Sequence, residues 1–372
     1  MIVTSLVLIR NRFEFKSIAE ETAFDTDQSL KVSICIPARN EEDVIGRCVQ
    51  SLLKQEYDNY EVLVLDDNSD DRTPDILNEL SSKNDRLKVF KGSPKPDDWL
   101  GKPWACHQLS KKASGDIFTF IDADVWVEPF TISKTVSGLK KVDALTIWPQ
   151  QELGSFIERL IVPSIMFSLV TLLPAVYVER KPRWMPGILY NLFKTEFLAA
   201  CGQFMAFKRL SYQAINGHEG VKNQVVEDME LGKSLKRNNL VLTMRTGINS
   251  VYCRMYTSGS EVWQGFQKNF YAGFGNPITF IFAAILHILF FLFPFYSLTV
   301  SLKTGNDLIT NLSLIVICIY IIQRFILNLW YKVEWWTAFF HPLAVIWFQA
   351  LGVKSLINKV FGLKSNWKGR QV

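Results

Sequence analysis

This sequence predicts an open α/β sheet, mostly parallel and flanked by helices, followed by a group of transmembrane helices. Three observations carry that prediction. From Lys31 onward, short apolar runs of β type alternate with amphipathic helical patterns. Two of those runs, residues 61–65 and 117–121, end directly in carboxylates: Asp66-Asp67-Asn68-Ser69-Asp70-Asp71 and Asp122-Ala123-Asp124. Most charges precede Asn276 and most long apolar runs follow it. The chain thus divides into an apolar anchor and linker over 1–30, an α/β domain over 31–276 and a membrane module with a basic tail over 277–372.

The elements follow in order. Residues 32–36 read as a strand, 42–55 as an amphipathic helix, 61–65 as a strand and 73–82 as a helix. A strand at 87–90, a helix at 102–114 and a strand at 116–121 continue the alternation, which implies parallel pairing through right-handed crossovers. Beyond Pro129 the pattern loosens, leaving a strand at 144–148 and a helix at about 227–238. The apolar stretch 161–178 carries Pro163 and Pro174 and reads as an interfacial segment, near 156–178, rather than a span. Runs 278–302 and 308–331 are long enough to cross a bilayer; 337–353 is shorter, contains His341-Pro342 and is expected to lie at the interface or re-enter.

Composition narrows the class. The formal net charge of +5 is small and collects partly in Lys354, Lys359, Lys364, Lys368 and Arg370, a pattern that points to a membrane surface and not to nucleic acid. The cysteines at 35, 48, 106, 201, 253 and 318 form no C-x-x-C pair and read as reduced thiols of a cytosolic compartment. The apolar start, residues 1–9, is too short to span; no basic segment precedes it and no small-residue cleavage site follows. A multi-pass protein of the cell membrane with its α/β domain in the cytosol is expected.

The chemistry-bearing motifs lie where ligands bind such sheets, outside the carboxyl ends of the strands. In Pro37-Ala38-Arg39-Asn40-Glu41-Glu42, Arg39 can pair with a phosphate or a base carbonyl and Glu41 can accept from a base N–H. The run 66–71 begins like a calcium loop, but its sixth position is Asp71 and its twelfth is Leu77, so that reading fails. Asp70 and Asp71 suit the start of the following helix, which leaves Asp66 and Asp67 for a nucleoside. Asp122 and Asp124, two residues apart at a strand end, can face one hard divalent cation, Mg2+ or Mn2+, whose remaining ligands come from phosphate and water. Glu227-Asp228 opens a helix, where an acid either favours the helix dipole or serves as general base to an acceptor hydroxyl. Lys102 and Trp104 can bring an ammonium and an aromatic face to a diphosphate or sugar; His218 has no second ligand at metal spacing. Neither a P-loop nor a G-x-G-x-x-G follows the first strand.

Taken together, residues 37–42, 66–71, 122–124 and 227–228 resemble the family 2 inverting glycosyltransferases of GT-A fold. Residues 101–105, the Gly217-His218 pair and the stretch 367–370 are most similar to membrane-bound carotenoid (diaponeurosporenoate) and hopene-associated glycosyltransferases. The resemblance implies that Pro37, Arg39, Glu41, Asp66 and Asp67 hold the nucleoside, that Asp122 holds the ribose or the metal and that Asp124 holds the metal. It makes Asp228 the general base, with Glu227 beside it. The implied partners are a nucleotide-sugar donor, a lipid acceptor and a membrane. Processive synthases of this family carry Q-x-x-R-W after the base; here the region reads Gln264-Gly265-Phe266-Gln267-Lys268. That departure weakens the alternative of a polysaccharide synthase, and Lys268 is a candidate for the missing positive charge. A non-catalytic scaffold would have no reason to retain every acidic element.

Overall fold

The computed structural model describes residues 1–23, 28–270, 277–361, 366–367 and 370–371. They form two compact units: Phe13–Glu152 with Ala175–Met255, and Met1–Arg12 with Leu153–Pro174 and Tyr256–Val372.

The first unit contains β1 (Val32–Ala38), β2 (Tyr60–Asp66), β3 (Leu87–Lys91), β4 (Ile117–Ile121), β5 (Val125–Val127), β6 (Ala144–Trp148), β7 (Gln150–Gln151), β8 (Phe204–Lys208), β9 (Leu242–Thr246) and β10 (Val251–Cys253). Among the described residues, seven of these make one sheet in the order β3-β2-β1-β4-β8-β6-β9. Pairings β1–β2, β2–β3, β1–β4 and β6–β9 are parallel. Every residue of β2 and of β4 is buried, as expected of parallel strands covered on both faces. Helix Ile45–Leu53 lays Ile45, Cys48, Val49 and Leu52 into the core, the i, i+3, i+4, i+7 spacing of a one-sided helix. Each such aliphatic side chain contributes roughly 1.5–3 kcal/mol on burial.

Two departures from the sequence reading have physical causes. The first helix starts at Ile45 and not at residue 42, because Glu42 is used between loops: its N–H donates to Asp71 Oδ2 at 3.1 Å and its Oε2 accepts from the Arg72 N–H at 3.0 Å. Strand β8 enters between β4 and β6 antiparallel to both. It follows a long excursion through residues 149–203, so no local strand–helix alternation announces it.

In register, Ala38 of β1 lies opposite Asp66 of β2, so the loops that carry the first two motifs leave the sheet side by side. A smaller sheet, β5-β10-β7, fixes the turn after β4: Val127, Trp126 and Val125 pair antiparallel with Val251, Tyr252 and Cys253. The base of the sheet is tied by Glu61, whose Oε1 accepts from Ser33 Oγ at 2.8 Å and Ser114 Oγ at 2.6 Å and whose Oε2 accepts from Lys88 Nζ at 3.0 Å. Burial would raise its pKa, but these bonds hold it down at about 2.

The second unit is helical: Ile2–Glu14, Phe156–Leu172, Gly259–Asn269, Pro277–Phe291, Phe293–Thr304, Asp307–Tyr331 and His341–Val360, the last preceded by the 3-10 turns Trp335–Phe340. Asp307–Tyr331 and Trp335–Lys359 are each long and apolar enough to cross a membrane, and Ile278–Phe291 with Phe293–Thr304, bent by 40°, makes a third if counted as one span. The stretch 337–353, short as read from the sequence, thus belongs to 25 continuous helical residues. The run 278–302 is broken at Leu292, where Pro294 sits in the first turn of the next helix and cannot continue the hydrogen-bond ladder. Residues 160–164 are buried in succession, so the proline-bearing helix packs among others of its unit. Some polar side chains here pair with one another: Gln323 Nε2 donates to Thr4 Oγ1 at 2.9 Å and Ser5 Oγ at 2.7 Å, and Thr310 Oγ1 to Ser301 Oγ at 2.8 Å, whereas both ring nitrogens of His341 and the Tyr320 and Ser355 hydroxyls are buried without a hydrogen bond among the described residues.

Candidate active site

Two polar clusters form at the carboxyl ends of β1, β2 and β4. The first joins the loops after β1 and β2. Arg39 Nη1 donates to the carbonyls of Asp67 (2.6 Å) and Asn68 (2.8 Å), the Asn40 N–H donates to Ser69 Oγ (3.0 Å) and the Asp70 N–H to Asn40 Oδ1 (3.0 Å). Asn40 and Asn68 take left-handed backbones, φ 53° and 56°, which asparagine tolerates better than most residues. Asp66 and Asp67 are buried, Asp66 Oδ1 accepts the Ser69 N–H at 3.1 Å, and the Glu41 N–H donates to Thr73 Oγ1 at 2.8 Å. Arg39 therefore holds the loop that presents Asp67.

The second cluster surrounds a small cleft of about 10 Å3 lined by Pro37, Lys102, Asp122, Gly202, Glu227 and Asp228 among others. Each polar group comes from the end of an element. Lys102 is in the first turn of helix Gly101–Lys112, Asp122 follows β4, Gly202 precedes β8, and Glu227 and Asp228 open helix Glu227–Arg237. Lys102 Nζ meets Asp122 Oδ1 at 2.7 Å and Glu227 Oε1 at 3.1 Å and donates to the Gly202 carbonyl at 3.4 Å. Burial would lower its pKa, but Asp122 and Glu227 raise it well above the usual lysine value. The ammonium is permanent at any physiological pH.

Asp228 Oδ2 accepts the Gly202 N–H and Oδ1 the Met229 N–H, both at 2.8 Å. Burial first, then the Glu227 charge, push its pKa up to about 6 against the pull of Lys102 and of those two N–H groups. A carboxylate so placed changes protonation near neutrality, as general bases do. Gly202 is needed for the approach: a Cβ there would stand 3.2 Å from Asp228 Oδ2 and 3.3 Å from Lys102 Nζ.

Asp124 lies one residue beyond Ala123, and its carbonyl accepts the Arg254 N–H at 3.2 Å. Burial, then Asp124 and Asp122, raise the Cys253 thiol, and burial, then Asp124, Glu41 and Asp122, raise Cys48, so the two acids share one neighbourhood. Their donor set is all oxygen, which fits a hard cation such as Mg2+ or Mn2+. Among the described residues no three His, Cys, Asp or Glu side chains converge as a metal-ligand group, so such a cation would complete its shell from diphosphate and water.

Of the residues singled out in the sequence, Pro37, Lys102, Asp122, Glu227 and Asp228 meet in the cleft, while Arg39, Asp66 and Asp67 belong to the neighbouring cluster. The Lys268 side chain and residues 368–369 lie outside the described residues. Three participants went unread. Gly202 acts through its backbone; Gln203 accepts the Asp122 N–H on its carbonyl at 3.1 Å; Tyr212 O–H lies 2.7 Å from His218 Nδ1 while accepting the His218 N–H at 3.0 Å. The small polar break Cys201-Gly202-Gln203 before an apolar run was the available signal. Burial, then Lys102, lower the His218 pKa to about 3, so His218 is a neutral imidazole and not a cation.

Residues 33–215 match the model of the family described as glycosyl transferase family 2. The chain belongs to that family. Its relatives include the 4,4'-diaponeurosporenoate glycosyltransferase of Staphylococcus haemolyticus, 27% identical over 277 residues that cover 72% of this chain and 67% of that one. The protein of the same name in Staphylococcus aureus strain MRSA252 is 27% identical over 360 residues, 91% of this chain and 88% of that one. Among solved structures, a mannosyltransferase from Pyrobaculum calidifontis in complex with GDP-Man and Mn2+ superposes with a TM-score of 0.55 at 16% identity, over 96% of this chain and 95% of that one. The α/β domain is thus GT-A-like, and the chain is a glycosyltransferase that carries two to three apolar helices of membrane-spanning length.

Proposed function

We propose that this enzyme transfers a hexose from a nucleotide sugar, UDP-glucose being the donor to test first, onto a carboxylate or hydroxyl of a membrane lipid such as a carotenoid acid. The observation that carries the reading is the cleft in which Lys102, Asp122, Glu227 and Asp228 converge beside the β1 and β2 loops. The names of the two staphylococcal relatives support the acceptor class.

Pro37, Arg39, Glu41, Asp66 and Asp67 frame the nucleoside, with Arg39 fixing the loop and the two acids accepting from ribose or base. Lys102 offers a fixed positive charge to the departing diphosphate. A divalent cation held by Asp124, with Asp122, would neutralise further charge on that diphosphate when bound. Asp228 takes the proton of an acceptor hydroxyl, or orients an acceptor carboxylate that is already ionised, for a single displacement that inverts the anomeric carbon. The Gly202 N–H keeps Asp228 aimed, and Glu227 sets the charge balance between Asp228 and Lys102.

In this reading the α/β domain lies on the cytosolic side, where nucleotide sugars are made, and the apolar helices anchor the chain in the membrane. Incubating membranes that carry the enzyme with radiolabelled UDP-glucose and extracted lipids tests the reading. Label should move into a discrete lipid-soluble product; label confined to a water-soluble polymer would replace the lipid acceptor with a glycan.

A further inference from the structure

Residues 175–197 form an excursion of the first unit that adds no strand to the sheet and ends close to the catalytic helix. Within it, helix Gly187–Phe193 buries none of its residues. Trp184, Ile188 and Leu192 are 67%, 80% and 69% exposed, and Leu189 and Phe193 are about half exposed at 46% and 51%. Single exposed apolar side chains are ordinary, whereas a contiguous group of five marks an interaction surface.

The exposure is not a matter of a loose loop. The buried Lys236 Nζ donates to the carbonyls of Tyr177, at 3.1 Å, and of Phe197, clamping both ends of the excursion to helix Glu227–Arg237. Lys181 Nζ donates to the Met185 carbonyl at 3.1 Å, Trp184 Nε1 to Tyr177 Oη at 3.2 Å and Lys194 Nζ to Asn239 Oδ1 at 2.8 Å. The flanks are predominantly basic: Arg180, Lys181, Arg183 and Lys194 stand against the exposed Glu196. Glu179, just before them, is hydrogen-bonded by Thr243 Oγ1 at 2.8 Å. Helix Gly187–Phe193, with seven residues, is far too short to span. Apolar residues and a tryptophan between basic flanks fit the boundary of headgroups and acyl chains in an anionic membrane.

We infer that residues 184–193 dock into the surface of a bilayer containing anionic lipid. Trp184, Ile188 and Leu192 enter the headgroup–acyl boundary, and Arg180, Lys181, Arg183 and Lys194 face lipid phosphates. The inference rests on the reading of a membrane-borne acceptor and deepens it. Through Lys236, the docked segment is tied to the helix whose first turn carries Asp228, so docking sets that helix relative to the phase that holds the acceptor.

The test uses the full-length chain with the exposed Cys318 replaced by serine and a polarity-sensitive fluorophore on Ile188→Cys, reconstituted in nanodiscs of phosphatidylcholine with or without phosphatidylglycerol. Emission should be blue-shifted and quenched by lipids with nitroxide-bearing acyl chains, more so with phosphatidylglycerol. That extra effect should shrink by about fivefold in the docking equilibrium for each charge removed in Arg180→Gln, Lys181→Gln and Arg183→Gln. Hydrogen exchange of the unlabelled chain provides a second measurement, with residues 184–193 slower in anionic discs than in detergent. Water-like emission and unchanged exchange in both lipid mixtures would overturn the inference. So would protection in detergent that grows with protein concentration, which assigns the face to a second copy of the chain. Sugar transfer measured in the same discs separates the two ideas: transfer without docking leaves the proposed function standing alone, and docking without transfer does the reverse.

Discussion

Asp228 stands where burial and Glu227 favour its neutral form and where Lys102 and two backbone N–H groups favour its charged form. A base must be unprotonated to act, and the folded pKa is about 6, so transfer to a hydroxyl acceptor should fall as pH drops through about 6 and be flat above it until other groups titrate. Asp228→Asn should remove that limb and cut turnover by about a hundredfold or more, with donor affinity, measured by titration calorimetry, close to wild type. Equal losses in rate and donor affinity would move Asp228 into the nucleotide pocket. Gly202→Ala places a methyl group 3.2 Å from Asp228 Oδ2 at a backbone conformation open to alanine; turnover should drop about tenfold with thermal stability nearly unchanged. Charged members of the cleft were legible in the sequence because they follow apolar strands or open helices, where ligands bind such sheets. Gly202 was not, because its one mark in the sequence is the short break Cys201-Gly202-Gln203 before an apolar run.

At the scale of elements, the sheet base and the membrane helices make separate claims. Glu61 has its pKa depressed from 4.5 to about 2. A depressed carboxylate contributes stability that is fully present above its unfolded pKa and lost as pH falls through the folded value. The enzyme should therefore lose thermal stability between about pH 4.5 and 2, and Glu61→Gln, already less stable at neutral pH, should flatten that window in melting curves. The strands β1, β2 and β4 were readable because each is a mostly apolar run set between helical patterns, and β3, which carries Lys88 and Lys91, from its place in that alternation. β8, β9 and β10 were not, because their partners are remote in sequence.

Among the helices, Trp335–Phe340 runs beside the end of Asp307–Tyr331, with Asn328 Nδ2 donating to Thr337 Oγ1 at 2.8 Å, and His341 reaches the Tyr320 ring at 6.0 Å. From there the chain turns to other neighbours: Trp347 packs on Trp263 at 5.2 Å, and a Cβ on Gly352 would meet Phe280 at 2.9 Å. We propose that this segment re-enters without crossing, although the helix is long enough to cross. The bent pair and Asp307–Tyr331 then supply the two crossings. A cysteine replacing Lys303 should react with an impermeant thiol reagent in intact cells, and one replacing Phe361 only after permeabilisation, in a background without Cys318. Labelling of position 361 from outside would establish a third crossing.

For the whole molecule, the helical unit takes in residues 1–12, 153–174 and 256–372, joined through contacts no composition profile records. Asn11 Nδ2, for example, donates to the carbonyls of Val170 and Leu173 at 2.9 and 2.8 Å. Removal of divalent cations by chelation should abolish transfer, with restoration by Mn2+ or Mg2+ at a concentration that rises sharply in Asp124→Asn; chelation without effect would take the metal out of the account. The central claim is that one hexose passes from a nucleotide sugar to a membrane lipid. Its most direct test is the purified full-length enzyme in nanodiscs, given radiolabelled UDP-glucose, a divalent cation and a polyene carboxylic acid, with the lipid extract resolved by mass spectrometry and its linkage by NMR. The account predicts a singly glycosylated lipid of inverted, β configuration; retained configuration, a polymer or donor hydrolysis without lipid product would contradict it.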